Sequence, residues 1–258
     1  MSQHKLRNFL LEGLIATEAT SLLAVYSRLL RLAPKAPKNH GRHVLVFPGF
    51  LAGDVTTVAL RKTLSGLGYQ TYGWEIGLNK GPTMEIQAKM EVRLHSLFRL
   101  YGKITLVGWS LGGLYARELA RRYPEMVRQV ITLGTPACHT ETSDLLPVLV
   151  RLAEAFTGQA IDDLHAGFFK KGTCNPPVPT TAVYSETDGI VSAPLARIHE
   201  DRRHQNVKVL ATHLGMGVNP GVLWLLADRL AWPVSRWQHF RPPRNLFAKF
   251  FPEQKPSL

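Results

Sequence analysis

Residues 103–122, KITLVGWSLGGLYARELARR, decide the predicted fold of this chain. The first letters are typical of a buried strand and the last have helical spacing, and the two patterns meet in the turn GWSLGG. Gly108 and Gly112 flank Ser110, so no bulky side chain crowds a turn that would expose the serine hydroxyl at a sheet edge. The same glycine pattern would also occur if the glycines only allowed a helix to pack closely against a strand. The strand before the turn and the helix after it favour a nucleophilic serine.

Strand-like and helix-like stretches alternate on both sides of this segment. The predicted strands are residues 43–47, 70–74, 104–107, 129–133, 181–184 and 207–211. The predicted helices are residues 55–67, 83–100, 111–122 and 221–230. This alternation predicts an α/β fold with a mostly parallel central sheet and helices on both faces.

Breaks in the alternation divide the chain into four segments. Residues 1–38 are predicted to be an amphipathic helical segment that ends at Pro34 and Pro37. The α/β core takes residues 39–138 and 180–240, and residues 139–179 interrupt it as a small helical cap or lid. Residues 241–258 form a short basic and apolar tail that either packs on the core or frays.

Composition favours one catalytic domain without a cofactor. The chain has 258 residues, of which 45% are hydrophobic and 19% charged, enough to bury a sizeable core. Its formal net charge of +12 favours either an anionic partner or simply a solvated basic surface. No zinc-finger spacing or nucleic-acid motif accompanies the charge, so we expect no nucleic-acid partner. Metal-ligand spacing is also missing from the sequence, and we expect neither a metal nor an organic cofactor.

Cysteine content and the N-terminal run bear on localisation. Cys138 and Cys174 are the two cysteines, and free thiols in a reducing cytoplasm are favoured over a bridge. Glu12, Glu18 and Arg28 interrupt the first apolar run, which argues against a signal peptide and a spanning helix. We expect a cytoplasmic protein, with peripheral membrane contact through the N-terminal helix left open. The sequence indicates no oligomeric state.

A nucleophilic serine needs a general base, and His213 has the most suitable position. It follows the apolar run VKVLA and precedes the final helix, from where it could reach the sheet edge that carries Ser110. His139 also follows a strand, in GTPACH, and is the main competitor, although a position beside the cleft suits it better. His199 and His204 lie in a charged segment that we expect to be exposed.

The carboxylate that orients the histidine is predicted to be Asp188. It follows the strand TTAVY and is followed by Gly189, which marks a tight turn. A carboxylate on the second ring nitrogen fixes the tautomer and stabilises the transient imidazolium. Glu186 is the nearby alternative. With Asp188, the order along the chain is serine, aspartate, histidine.

The developing oxyanion requires backbone donors, and two are predicted. Leu111 follows the nucleophile, and its N–H lies at the start of a helix. The second donor is expected in the loop at residues 48–53, with Phe50 as first choice because Pro48 has no N–H. Removing one such donor typically costs about 2.7–4 kcal/mol of transition-state stabilisation.

Five motifs together resemble bacterial esterases and lipase-like members of the α/β-hydrolase superfamily. They are FPGFLAGD from residue 47, GWSLGG from 108, TLGTP from 132, YSETDGIV from 184 and THLGMGVNP from 212. The resemblance covers roughly residues 43–230. It implies ester hydrolysis through an acyl-enzyme. The residues that match the family's catalytic triad are Ser110, Asp188 and His213, and those that match its oxyanion hole are Phe50 and Leu111. One departure is Pro48, where many lipases have a histidine, and it weakens the assignment of Phe50.

An apolar cap would suit an acyl chain better than a charged metabolite. The predicted substrate-binding residues are Trp109, Thr135, Leu145, Leu149, Phe156 and Leu214. The same apolar residues would also simply bury the cap against the sheet. We therefore expect a serine carboxylic-ester hydrolase for small-molecule or lipid esters with an apolar acyl chain. An acyltransferase or thioesterase with the same triad is the first alternative, and a membrane-surface or partner-binding protein on a hydrolase-like scaffold is the second.

Overall fold

The computed structural model describes residues 15–38, 41–137 and 175–253. Its helices are α1 (Ile15–Leu32), α2 (Val58–Gly66), α3 (Met84–Tyr101), α4 (Leu111–Arg122), α5 (Ala193–Ala196) and α6 (Pro220–Ala231). Its strands are β1 (His43–Phe47), β2 (Gln70–Gly73), β3 (Ile104–Trp109), β4 (Val127–Leu133), β5 (Thr180–Tyr184) and β6 (His204–Lys208). Most of the predicted cap, with its residues Leu145, Leu149 and Phe156, lies outside these ranges, as do Cys138, His139 and Cys174.

The strands form one sheet in the order β2-β1-β3-β4-β5-β6, and every neighbouring pair is parallel. This confirms the predicted α/β class. The strand order reverses between β1 and β3, because the chain moves outward to β2 and then returns to the other side of β1. Loops that follow β1 and β3 therefore diverge at the carboxyl edge, where ligands bind in open α/β sheets. Phe47 pairs with Gly108, so the first loop begins beside the serine turn.

Helices cover both faces of the sheet. Alternate residues of β1 divide between two apolar clusters, with Val44 and Val46 in one and Leu45 and Phe47 in the other. The first cluster also takes in buried side chains from α1, α2 and α6, and the second takes in those from α3 and α4. A strand buried on both faces reads as a continuous apolar run, which explains the pattern HVLVF.

Helix α1 packs on the core. It contacts α6, and its Leu22 and Leu29 are buried in the first apolar cluster. Leu23, on another side of the helix, is 79% exposed, as an amphipathic helix requires. No helix within residues 15–38, 41–137 and 175–253 is long and apolar enough to cross a bilayer.

The chain after α6 also packs on the core, as far as residue 253. Phe247 is buried and stacks on Trp224 with ring centroids 4.7 Å apart, and Phe240 lies against Phe251 at 4.9 Å. Apolar aromatic contacts of this kind hold the tail over the same face as α1 and α6.

Two expectations about the last strand were wrong. Strand β6 is His204–Lys208 and begins three residues before the predicted start, and the apolar residues that follow it belong to a loop in which Val209 and Ala211 are buried and Leu210 is 48% exposed. His204 is 7% exposed and not exposed as predicted. Its ring nitrogens lie 2.7 Å from an Asp201 carboxylate oxygen and 2.9 Å from the Pro176 carbonyl oxygen. These partners allow a histidine in a charged segment to be buried.

Candidate active site

Ser110 occupies a strained turn between β3 and α4. Its φ of +53° and ψ of −123° place a non-glycine residue in a backbone conformation that L-residues rarely adopt. Such strain persists only where neighbouring contacts fix it. The Ser110 N–H donates to the Leu133 carbonyl at 2.8 Å, and the Ser110 carbonyl accepts from the Thr135 hydroxyl at 2.9 Å. The end of β4 therefore holds the serine turn in place.

The glycines of the GWSLGG motif are required by close backbone approaches. A Cβ on Gly108 would lie 2.3 Å from the Gly112 carbonyl oxygen, and a Cβ on Gly112 would lie 2.4 Å from the Phe47 carbonyl oxygen. A Cβ on Gly113 would lie 2.0 Å from the Thr135 hydroxyl oxygen. A side chain at Gly108 or Gly112 would require the backbone around the serine to move, and one at Gly113 would require the Thr135 side chain to move.

His213 and Asp188 form a buried pair. The His213 Nδ1 lies 2.8 Å from an Asp188 carboxylate oxygen, and the two side chains are 2% and 1% exposed. The other Asp188 oxygen accepts from the backbone N–H groups of Ile190 at 2.9 Å and Val191 at 2.7 Å. A carboxylate held in this way can only accept, so Nδ1 carries the proton and Nε2 is the basic ring nitrogen.

This pair lies at the same sheet edge as the serine turn. The Trp109 indole N–H, one residue before Ser110, donates to the His213 carbonyl at 3.1 Å. A Cβ on Gly134, at the end of β4, would lie 2.8 Å from Asp188 and 3.0 Å from the His213 ring. The Ser110 hydroxyl is buried and has no hydrogen-bond partner among the described residues. The serine–histidine bond is thus not formed here, as is common in structures without substrate.

The loop after β1 approaches the serine closely. A Cβ on Gly49 would lie 3.4 Å from the Ser110 Cβ, and Phe50 is 7% exposed. Leu111 is the first residue of α4, so its N–H has no acceptor within the helix. The two predicted oxyanion donors therefore belong to segments that meet at Ser110.

Asn79 fixes this loop, and the sequence analysis did not identify it. Its side-chain amide donates to the Pro48 carbonyl at 3.0 Å, and its backbone pairs with Leu51 and Ala52 at 2.7 and 2.9 Å. The Asn79 side-chain oxygen accepts from the Tyr115 hydroxyl at 3.1 Å. Burial raises the pKa of Tyr115, which keeps that hydroxyl protonated as a donor. No motif marks Asn79, although an asparagine between two turn-forming glycines is a weak local signal.

The other predicted residues have mixed positions. Trp109 is half-buried and its indole N–H is bonded to the histidine loop, while Leu214 directly follows His213 and is half-buried. Thr135 is 2% exposed, and its hydroxyl supports the Ser110 carbonyl, which places it beneath the turn. Glu186, the alternative to Asp188, has a side chain 64% exposed and pairs with Lys208 at 2.9 Å. The structure therefore brings Asp188 and not Glu186 to His213.

Glu18 also contacts the histidine loop, and its role was missed. In the sequence, this residue is only a charge that interrupts an apolar run. Its carboxylate accepts hydrogen bonds from Thr212 and Asn219, on either side of His213. The position of Glu18 within an apolar helical stripe is a signal for such a contact. A carboxylate at that position needs a polar partner once the helix packs on the core.

Comparison with known proteins agrees with the observed fold. A family model described as the alpha/beta hydrolase fold matches residues 100–192, which include the serine turn and Asp188. A lipase-esterase related protein from Clostridium acetobutylicum has a similar structure, with a TM-score of 0.51 and 14% identity over 75% of this chain and 96% of that chain. The chain therefore has the α/β-hydrolase fold, and the predicted resemblance to that superfamily is confirmed.

Within this class, several of the similar curated proteins are ester hydrolases by name. The pimeloyl-[acyl-carrier protein] methyl ester esterase of Yersinia pseudotuberculosis is 36% identical over 59 residues, which is 23% of each chain. The corresponding esterase of Aromatoleum aromaticum is 39% identical over 59 residues, or 23% of this chain and 22% of that protein. The matched segment thus spans less than a quarter of these relatives.

Proposed function

We propose that this protein is a serine carboxylic-ester hydrolase in which Ser110 is the nucleophile, His213 the general base and Asp188 the orienting carboxylate. The observation that carries the proposal is the buried Asp188–His213 hydrogen bond of 2.8 Å at the sheet edge where the strained serine turn emerges. A polar pair of this kind is costly to bury, and an α/β-hydrolase core does not need it for packing.

The geometry supports acyl transfer in two steps. His213 Nε2 accepts the hydroxyl proton as Ser110 Oγ attacks the ester carbonyl, and Asp188 stabilises the imidazolium that forms. The tetrahedral oxyanion takes hydrogen bonds from the N–H groups of Leu111 and Phe50. When the tetrahedral intermediate collapses, the bond to the alcohol oxygen breaks, and His213 gives the proton to the departing alcohol. Water then attacks the acyl-enzyme by the same route and releases the acid and the free serine.

An apolar acyl chain is the proposed feature of the substrate. Trp109 lies within the serine turn, and Phe50 follows Gly49, whose added Cβ would lie 3.4 Å from the Ser110 Cβ, so both bring apolar side chains to this turn. No charged side chain among the described residues is bonded to the Ser110 hydroxyl. The names of the curated relatives support a carboxylic ester, since they are esterases for a methyl ester of an acyl chain carried on a protein. The net charge of +12 also favours a substrate whose carrier or surroundings are acidic.

Hydrolysis of p-nitrophenyl esters of increasing acyl length tests this proposal. We expect kcat/KM to rise with acyl length to an optimum, and Ser110→Ala to reduce it by at least about 10³-fold. Ser192→Ala is the matched control, because Ser192 is exposed and its side chain makes no capping hydrogen bond. Equal rates for the wild type and a folded Ser110→Ala variant would refute the proposal.

A fluorophosphonate probe provides a second readout that does not depend on the choice of ester. The probe should label the wild type and Ser192→Ala with one adduct per chain, and the modified peptide should contain Ser110. Labelling that persists in Ser110→Ala would assign the nucleophile to another residue.

A further inference from the structure

A carboxylate from helix α1 is bonded to the loop that carries His213. Glu18 accepts from the Thr212 N–H with its two oxygens at 3.2 and 3.3 Å, and it also accepts from the Thr212 hydroxyl. The Asn219 side-chain amide donates to the same carboxylate at 2.7 Å. Thr212 and Asn219 are 4% and 2% exposed, so these bonds are made in a buried environment.

These partners lie at the two ends of the loop at residues 212–219. Thr212 immediately precedes His213, and Asn219 caps α6 by accepting from the N–H groups of Gly221 and Val222 at 2.9 and 3.3 Å. The Asn219 amide also donates to the Leu210 carbonyl at 2.8 Å. One carboxylate therefore joins the start and the end of the histidine loop.

Gly215 shows how closely the carboxylate fits this loop. A Cβ at this position would lie 1.6 Å from a Glu18 oxygen and 2.6 Å from the Thr212 hydroxyl oxygen. The Gly215 N–H donates to that same Thr212 hydroxyl at 3.0 Å. The absence of a side chain at Gly215, the first glycine of the motif THLGMG, thus makes room for the Glu18 carboxylate, which comes from outside the motif.

The chemistry of the contact suits an acceptor that carries charge. The Thr212 N–H, the Thr212 hydroxyl and the Asn219 amide are all donors, and a carboxylate has enough lone pairs to accept from all of them. Bonds to a charged acceptor are stronger than those between neutral groups. Without Glu18, a buried backbone N–H beside the general base would have to find another acceptor or leave its place.

We propose that Glu18 is a positioning residue for His213, so that α1 forms part of the catalytic apparatus although it precedes the hydrolase core. This inference rests on the proposed function, because it takes His213 as the general base. Glu18 holds the loop from one side, and the Trp109 indole holds the His213 carbonyl from the other. Together they hold the ring against Asp188, and the proposed proton transfer requires its second nitrogen to reach Ser110.

Glu18→Gln tests the proposal with little change in size. The variant replaces one acceptor oxygen with an amide that faces other donors, so the loop should shift. We expect kcat for a p-nitrophenyl ester to fall about 10–100-fold with little change in KM, since a misplacement of about 1 Å costs about 10²-fold in rate. In proton NMR spectra, the downfield Nδ1–H signal of His213 should broaden or move.

Leu29→Ala is the matched control within the same helix. Leu29 is fully buried in the apolar cluster and its side chain cannot hydrogen-bond to the histidine loop, so its truncation weakens the docking of α1 without removing a polar contact. We expect a lower Tm, an unchanged kcat per titrated active site and an unchanged NMR signal. If Glu18→Gln behaves in the same way as Leu29→Ala, Glu18 only docks the helix and the positioning role is refuted.

Gly215→Ala approaches the contact from the loop side and keeps the proposal testable if Glu18→Gln does not fold. Its Cβ would displace the carboxylate, so the same loss of kcat is expected, and the double variant should lose little more than either single one. Additive losses would contradict a shared contact. Full activity in Ser110→Ala would refute the proposed function itself, whereas an inactive Ser110→Ala beside a fully active Glu18→Gln would refute only the positioning role.

Discussion

Asn79→Asp should reduce catalysis by disturbing the loop that carries the Phe50 N–H. The substitution keeps the oxygen that accepts from Tyr115 and from the Gly81 N–H at 3.1 and 3.2 Å. It removes only the amide that donates to the Pro48 carbonyl at 3.0 Å, and places a carboxylate oxygen there. Two acceptors then face each other in a fully buried site, so the Pro48 peptide should turn away and take the next N–H groups with it.

The size of the effect follows from the groups involved. Complete loss of one oxyanion donor costs about 2.7–4 kcal/mol, which corresponds to about 10²–10³ in kcat. Because the variant displaces the Phe50 N–H and does not delete it, we expect a smaller loss of about 10–100-fold in kcat. The unpaired Pro48 carbonyl should also lower the free energy of unfolding by about 1–3 kcal/mol.

Steady-state hydrolysis of a p-nitrophenyl ester, corrected by active-site titration, measures the first effect, and urea denaturation measures the second. Tyr115→Phe is the matched control, because it removes a bond to the same Asn79 while leaving the bond to Pro48 in place. It should cost about 1 kcal/mol of stability and leave kcat near the wild-type value. A folded Asn79→Asp variant with wild-type kcat would show that this loop does not supply the second donor.

Three further predictions concern the histidine pair, the alternative carboxylate Glu186 and the start of helix α3. Gly134→Ala should lower kcat more than about 10-fold in the same assay. The residue has φ +52°, and a Cβ would lie 2.8 Å from Asp188 and 3.0 Å from the His213 ring. A wild-type kcat would contradict this close packing of Gly134 against the pair. Glu186→Gln should leave kcat unchanged, since that side chain is 64% exposed, and a large loss would reopen the assignment of the carboxylate. Thr83→Ala should lower the free energy of unfolding by about 1 kcal/mol in urea denaturation without changing kcat, because the Thr83 hydroxyl caps α3.

The parts of the fold that the sequence predicted depend on short-range patterns. The strand β3, its turn and α4 occupy one continuous segment, and the glycines required there are fixed by backbone approaches within it or to the neighbouring strand. Asp188 and His213 could be proposed because each follows a strand, and parallel strands bring their carboxyl ends to one edge. Their mutual hydrogen bond was an inference from this topology, and the structure contains it.

The residues that were missed contact partners that are far away in the sequence. Glu18 is 194 residues from Thr212, and Asn79 is 31 residues from Pro48 and 36 from Tyr115. No periodicity relates such positions, because their contacts are set by how helices and loops pack after the sheet forms. The error at His204 has the same origin, since a partner 28 residues away, the Pro176 carbonyl, makes its burial favourable.

Asn79, which is buried, and Glu18, which is half-buried, lie outside the motifs and hold the two loops on either side of Ser110. Asn79 fixes the loop after β1, and Glu18 fixes the loop before α6. The serine itself combines a positive φ with a buried hydroxyl that has no partner among the described residues, and both features are unfavourable by themselves. Such a residue stays in place only if its surroundings are rigid. The polar contacts of Asn79 and Glu18 provide that rigidity at positions where apolar side chains would leave buried donors and acceptors unpaired.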